Sequence, residues 1–310
     1  MRKLCTTTLI TLSITLLAGL VASTSLAAED EDVWQLFNFQ EREILAKIGI
    51  TEKTSKEKAI ATAQNALMWH RDAAVRATCA KLLGRFEAKS ARDALISALK
   101  DPNADVRRWS AQALGVIGEW QAIEPLGELL NKEPSGETRK TIVIAMRAIG
   151  DRRAAPILAA TLVKDPEVSV RMLAATTLGE LKDTRAWQQL VQALSDTAPA
   201  VRKAAALALG LMQETRALDK LIELLGHDDH VDVRGVAARA LGQLGKRKAV
   251  QPLIEGLNDP HPYVRRLCAG SLGLIGSSKA LKPLKHVASN DPDPVVRKTA
   301  QAAFNKIKNQ

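Results

Sequence analysis

The feature that most constrains this chain is a repeat. An apolar residue, or once a threonine, followed by arginine and then by a stretch of small residues recurs at Val75-Arg76, Val106-Arg107, Thr138-Arg139, Val170-Arg171, Val201-Arg202, Val233-Arg234, Val264-Arg265 and Val296-Arg297. Successive arginines stand 31 or 32 residues apart throughout. Most are followed by Leu-Gly, as in Leu83-Gly84, Leu114-Gly115, Leu178-Gly179, Leu209-Gly210, Leu241-Gly242 and Leu272-Gly273. A fixed period of this length is the mark of a stacked architecture, in which each unit buries its apolar face only against its neighbours.

Each unit reads as two helices. About sixteen residues before the arginine a helix opens, as at Ala122-Ile123-Glu124-Pro125-Leu126 and Ala249-Val250-Gln251-Pro252-Leu253. Proline is tolerated there because the first-turn amides of a helix have no intrahelical partner. A polar turn such as Asp101-Pro102-Asn103 or Asp291-Pro292-Asp293 then leads into the helix that carries the arginine. Composition agrees: 46% of residues are hydrophobic but only 3% aromatic, so alanine and leucine dominate, which suits closely packed slim helices better than strands. The expected fold is all-α, with eight helical hairpins over residues 58–310.

In register and motif these eight copies resemble HEAT repeats of the short bacterial, phycobilisome-lyase-like type. The resemblance implies an α-solenoid, a right-handed superhelix with a concave inner face. It also implies that the arginines pair with acids in a ladder between neighbouring repeats. Similar repeats occur in two kinds of enzyme, phycobilin lyases and a di-iron deoxyhypusine hydroxylase. The hydroxylase binds iron through His-Glu pairs, and this sequence contains no His-Glu dipeptide. No residue signature supports the lyase reading. Gly-rich phosphate loops, Gly-x-Ser-x-Gly and His-Glu-x-x-His are also absent.

The N-terminus begins Met1-Arg2-Lys3, continues in an apolar run from Leu9 to Ala22 and reaches the small residues Ser25-Leu26-Ala27. Residues 1–27 are thus expected to be a cleaved signal peptide, and the mature protein periplasmic or secreted, with no membrane span left. Retention as an anchor is the alternative, since the run is barely long enough to cross a bilayer. Residues 28–57, with Trp34, Leu36, Phe37, Phe39, Ile44, Leu45 and Ile48, are expected to form a helical cap over the first repeat, against which Trp69 packs. Without Arg2 and Lys3 the balance is 42 basic to 34 acidic residues, and between Lys246 and Gln310 it is 12 to 4. One end of the molecule is basic.

The arginines themselves are expected to be structural. Positions −1, +3, +4 and +7 from each are apolar or small in nearly every repeat, which places the arginine beside a buried stripe, where a charge needs a partner. Six residues upstream stand Asp101, Glu133, Asp165, Asp196, Asp228, Asp259 and Asp291, with His70 as the exception in the first repeat. For Arg202 the partner is Asp196 or the equivalent acid of a neighbouring repeat. Cys79 and Cys268 share the +3 core register six repeats apart. At about 8 to 10 Å per helix layer they are about 50 Å apart, well beyond the reach of a disulfide. His227-Asp228-Asp229-His230, with His261 one repeat later, is a dense set of metal-ligand types. It falls in turns where polar residues are ordinary, so no metal or other cofactor is expected.

What remains for function is the face of the second helix turned away from the core, at +1, +5 and +9. It carries Arg108, Lys140, Lys203, Arg266 and Lys298, but turns apolar in the middle with Ile144, Met172, Leu207 and Leu211. Exposed apolar residues on a concave surface point to a partner. Trp120, in an inter-repeat loop where other repeats have polar residues, is a further exposed candidate. Trp187, whose counterparts are apolar, is expected in the core. The sequence therefore points to a non-catalytic scaffold or adaptor of the bacterial envelope that holds a protein or peptide on its concave face. The basic C-terminal end would suit an acidic partner, and nucleic acid is not expected. The alternatives are a binder of anionic envelope polymer or lipid through that basic end, and a lyase-like or other enzyme.

Overall fold

The structure, a computed structural model, describes residues 32–35 and 37–309, so the expected signal peptide lies outside the described residues. A short helix α1 (Asp32–Gln35) and helix α2 (Phe39–Ala46) precede eight hairpins. These are α3 (Lys56–Trp69) with α4 (Ala73–Arg85), α5 (Arg92–Ala98) with α6 (Ala104–Ile117), α7 (Ile123–Leu130) with α8 (Gly136–Ile149), and α9 (Ala155–Lys164) with α10 (Val168–Leu181). The second half continues with α11 (Trp187–Ala193) and α12 (Pro199–Leu211), α13 (Leu218–His227) and α14 (Val231–Leu244), α15 (Val250–Glu255) and α16 (Pro262–Ile275), and α17 (Leu281–Asn290) and α18 (Pro294–Lys308). No strand occurs among the described residues.

Local chemistry marks where the second helices begin and end. Asp72, Asn103, Ser135 and Asp293 cap their helices by accepting from free first-turn amides. At +11 the chain turns left-handed, which glycine does without strain: Gly118, Gly150, Gly245 and Gly276 all have φ between 65° and 76°. Glu87, Lys182 and Gln213 hold the same register at φ 49°, 51° and 53°, conformations that a Cβ disfavours.

The glycine of each Leu-Gly pair lets second helices approach closely. A Cβ at Gly84, Gly115, Gly179 or Gly273 would lie 2.7 to 2.9 Å from Ala113, Ala145, Ala208 or Ala303 of the next repeat. The first helices stand further apart, so the row of second helices lines the inside of the curve. One junction differs. Repeat three has Arg147 where the glycine should be, repeat four has the buried Thr177 in the register of Ala113, Ala145, Ala208 and Ala303, and there α8 and α10 touch less closely than other neighbouring second helices.

The arginine ladder runs the length of the stack, and its wiring crosses between repeats. Arg202 donates Nε to Asp228 at 2.7 Å and Nη2 to the same carboxylate at 2.9 Å, one repeat downstream. Its Nη1 donates to the backbone carbonyls of Asp196 and Thr197. The same fork joins Arg76 to Asp101, Arg107 to Glu133, Arg139 to Asp165, Arg171 to Asp196, Arg234 to Asp259 and Arg265 to Asp291. Each acid thus gives its carbonyl to its own arginine and its carboxylate to the preceding one. Burial works against ionisation of Asp101, Asp196, Asp228 and Asp259. The arginine fork and a backbone N–H two residues on outweigh it, and each carboxyl ends below its ordinary value. Arg297, in the last repeat, makes only the two carbonyl contacts among the described residues.

The cap corrects the expectation for Trp69. Helix α2 lies against the second helix of repeat one: Glu41 accepts from Lys81 at 2.7 Å, and the guanidinium of Arg85 sits 4.0 Å from the ring centroid of Phe37. Trp34, Phe37, Leu45 and Ile50 are buried there. Trp69, at the end of α3, is therefore left in solvent instead of packing on the cap, and Phe39, at the first turn of α2, is exposed as well. Cys79 and Cys268 are both fully buried and unpaired, and burial pushes the Cys79 thiol up to about 12.

Candidate functional site

Along the inner face the second helices present four parallel rows of side chains, at −2, +1, +5 and +9 from each ladder arginine. These positions fall within one side of a 3.6-residue helix, opposite the ladder. The −2 row was not singled out by the sequence, and it matters, because it holds acids. Asp105 accepts from Arg108 at 2.6 Å, Glu137 pairs with Lys140 at 2.5 Å, and Asp232 pairs with Lys203 of the preceding repeat at 3.1 Å. Glu180, in the +9 row, pairs with Arg147. Three of the five predicted concave cations are therefore neutralised within the protein. Arg266 instead lies over the ring of Tyr263, 5.7 Å from its centroid, and Lys298 is exposed with no ion pair among the described residues.

The apolar middle is there, with one correction. Ile144 is 49% exposed, Met172 37% and Leu211 45%. Leu207 is not solvent-exposed as expected: it is half-buried and packs against the core. Val116 and Ala148 extend the apolar zone at +9. Trp109, another residue the sequence reading passed over, is half-buried with the Lys81 ammonium 4.1 Å and the Arg108 guanidinium 4.7 Å from its ring centroid. Its +2 register is otherwise unremarkable, so only its being an isolated tryptophan could have flagged it.

The other two tryptophans stand where one repeat passes to the next, Trp120 in the connection before α7 and Trp187 at the first position of α11. Trp120 is exposed and carries the Arg153 guanidinium 3.9 Å from its ring centroid. Trp187 is half-buried rather than core, because its ring is too large for the site that Ile123 and Val250 fill completely; its outer face is covered by Arg216 at 4.1 Å. The histidine-rich turn is committed to the ladder: Asp228 accepts from Arg202 and from the His230 amide, and Asp229 also pairs with Arg202. Among the described residues no group of three His, Cys, Asp or Glu side chains could hold a metal ion. Two open clefts lie on the turn edge, one lined by Glu133, Arg139 and Asp165 and the other by Asp229, His230, Arg234 and His261.

The profile of HEAT repeats matches residues 60–147, 94–168, 155–238 and 227–305, together nearly the whole of the hairpin array. The chain belongs to the HEAT-repeat family. No curated protein matches it in sequence. Among solved structures, YibA of Escherichia coli is similar at 18% identity and a TM-score of 0.56, covering 93% of this chain and 100% of that one. Kap95p, in a structure of its binding to RanGDP, is similar at 15% identity and a TM-score of 0.60, over 86% of this chain and 42% of that one. The complex of CpcE and CpcF of phycocyanin lyase from Nostoc sp. PCC7120 is similar at 23% identity and a TM-score of 0.43, over 82% and 95%. At such identities the likeness concerns the fold alone. In this HEAT array the ladder and the Gly-on-Ala contacts are spent on stacking, and the concave rows are the surface left for other work.

Proposed function

We propose that this protein is a non-catalytic scaffold of the bacterial envelope that holds a partner protein or peptide on its concave face. The observation that carries the reading is the exposure of Ile144, Met172 and Leu211 together in the middle of that face, where a purely structural array would place polar residues. Its charged neighbours in repeats two to five are already paired, so the centre of the face offers apolar contact area with little unpaired charge to desolvate. The proposed envelope location rests on the N-terminal pattern, and sequencing the N-terminus of protein from its native host tests it: cleavage near Ala28 is expected, and an intact Met1 would contradict it.

Replacing Met172 and Leu211 together by Asp tests the function. Both are surface positions, so folding should change by no more than about 0.5 kcal/mol each. Capture of the partner from the native envelope should be lost, because charges in an apolar contact leave desolvated groups unpaired. A folded variant that captures the same partner as before would defeat the reading. Binding of an anionic polymer or lipid through the basic C-terminal end is the second reading, favoured by the 12 basic against 4 acidic residues after Lys246. It predicts capture that falls steeply with salt, whereas an apolar centre responds weakly.

A further inference from the structure

The concave face changes character after repeat five. In repeats two to five its cations are held by acids on the same face, as described above. From repeat six onward Arg239, Arg266, Lys298 and Lys306 occupy the same rows and make no ion pair among the described residues, while Asp232 is already engaged by Lys203. The same segment exposes Leu274 to 56% and Val295 to 53%.

A glycine adds the decisive detail. Inside the second helices the glycines at +8 abut the neighbouring helix, and Gly235 lies beneath Tyr263, whose Cε1 would be 2.3 Å from an added Cβ. Gly270 has no such reason. A Cβ there would meet nothing nearer than Thr299 Cγ2 at 3.8 Å, an ordinary contact. Glycine in mid-helix costs about 1 kcal/mol relative to alanine, and here packing returns nothing for it. With Ala302 next to it in the +5 row, Gly270 leaves a low floor between the taller Leu274, Arg266 and Lys298.

We infer that this trough binds an acidic polypeptide segment of a partner protein, one whose carboxylates alternate with apolar side chains. The inference rests on the concave-face reading and adds the chemistry of the partner. Carboxylates satisfy Arg239, Arg266, Lys298 and Lys306, which a purely apolar ligand would strip of water without compensation. Apolar side chains cover Leu274 and Val295, which a bare polyanion would leave in water. The open floor at Gly270 lets the segment's backbone come close to the helix.

The test uses the full mature chain and fluorescent synthetic peptides, read by anisotropy. One peptide combines glutamate with regularly spaced leucine. In the others serine replaces the leucine, or lysine or serine replaces the glutamate; phosphatidylglycerol vesicles and polyphosphate serve as polyanion probes. The Glu/Leu peptide should bind best. Gly270→Leu should weaken it by about tenfold or more, the scale of an interface hot spot, while the melting temperature stays level or rises. Arg266→Glu with Lys298→Glu should weaken it comparably, and Gln112→Leu, on the same face of repeat two, should not. Equal binding by wild type and Gly270→Leu, preference for the Lys/Leu or Ser/Leu peptide, or no peptide binding at all overturns the inference. Preference for one of the uncharged or basic peptides would still leave the concave-face reading standing. Tighter binding of Glu/Ser peptide, vesicles or polyphosphate than of Glu/Leu would overturn it in favour of a polyanion surface.

Discussion

Among single residues, each ladder acid offers its carbonyl to the guanidinium of its own repeat and its carboxylate to the arginine of the previous one. Arg202→Ala therefore strands Asp228, whose side chain is almost fully buried, and should destabilise the array by about 3 kcal/mol in chemical denaturation. Asp228→Asn should cost less than that, since the amide still accepts from the fork. An Arg202→Ala variant that melts normally but loses its partner would make the arginines a ligand stripe. The 3.6 periodicity makes it legible that the arginines stand beside the core and need partners, but not which acid belongs to which arginine, because the upstream acid meets the nearby guanidinium through its carbonyl alone. The same pairs fix the acid limit. Carboxyls held below their ordinary value stabilise the fold fully above the unfolded pKa of about 3.9, and that stability is lost as pH falls through the folded values. Melting temperature should be level from neutral pH to about 5 and drop below about 4. A fall already between pH 7 and 5 would show that the ladder does not set it. Cys79 and Cys268 should react with a thiol reagent only after denaturation, with identical migration of reduced and unreduced protein; a bridge between them would contradict the stack itself.

At the scale of the element, helix boundaries and hairpin order could be read because proline, polar turns and Leu-Gly pairs recur in phase. Side-chain fates on the partly covered faces could not. Leu207 and Leu211 look equivalent in sequence, yet neighbouring helices cover one and leave the other in water, and Trp187 sits at an apolar register that its ring overfills. The −2 row escaped because attention to +1, +5 and +9 misses a position that shares their side one turn earlier. The +11 register gives a clean test of backbone strain. Lys182→Gly should stabilise by about 0.5 to 1 kcal/mol, the relief of a left-handed non-glycine less the entropy that glycine adds to the unfolded chain. Gly118→Ala, which imposes that strain where it is now absent, should destabilise by at least a similar amount. Equal melting of both variants with the parent would mean that these helix ends fray and carry no strain.

At the scale of the whole molecule, the architecture follows from the period: a hairpin that cannot bury itself stacks, and stacking with close inner helices curves the array. The surface that curvature creates is where sequence reading runs out, since its rows come from eight separate helices and their pairing depends on how far apart those helices stand. Arg147 in place of glycine shows this, for it loosens one junction beside the exposed Ile144 and Met172. The most direct test of the claim that the inside of the curve is the working face is site-specific photo-crosslinking in cells of the native host. A crosslinking amino acid is placed at Met172 on a concave row or at Val163 on the first helix α9, both exposed in the free protein. The account predicts a discrete adduct from position 172 and none from 163. Adducts from 163 alone, or the same adducts from both positions, would contradict it.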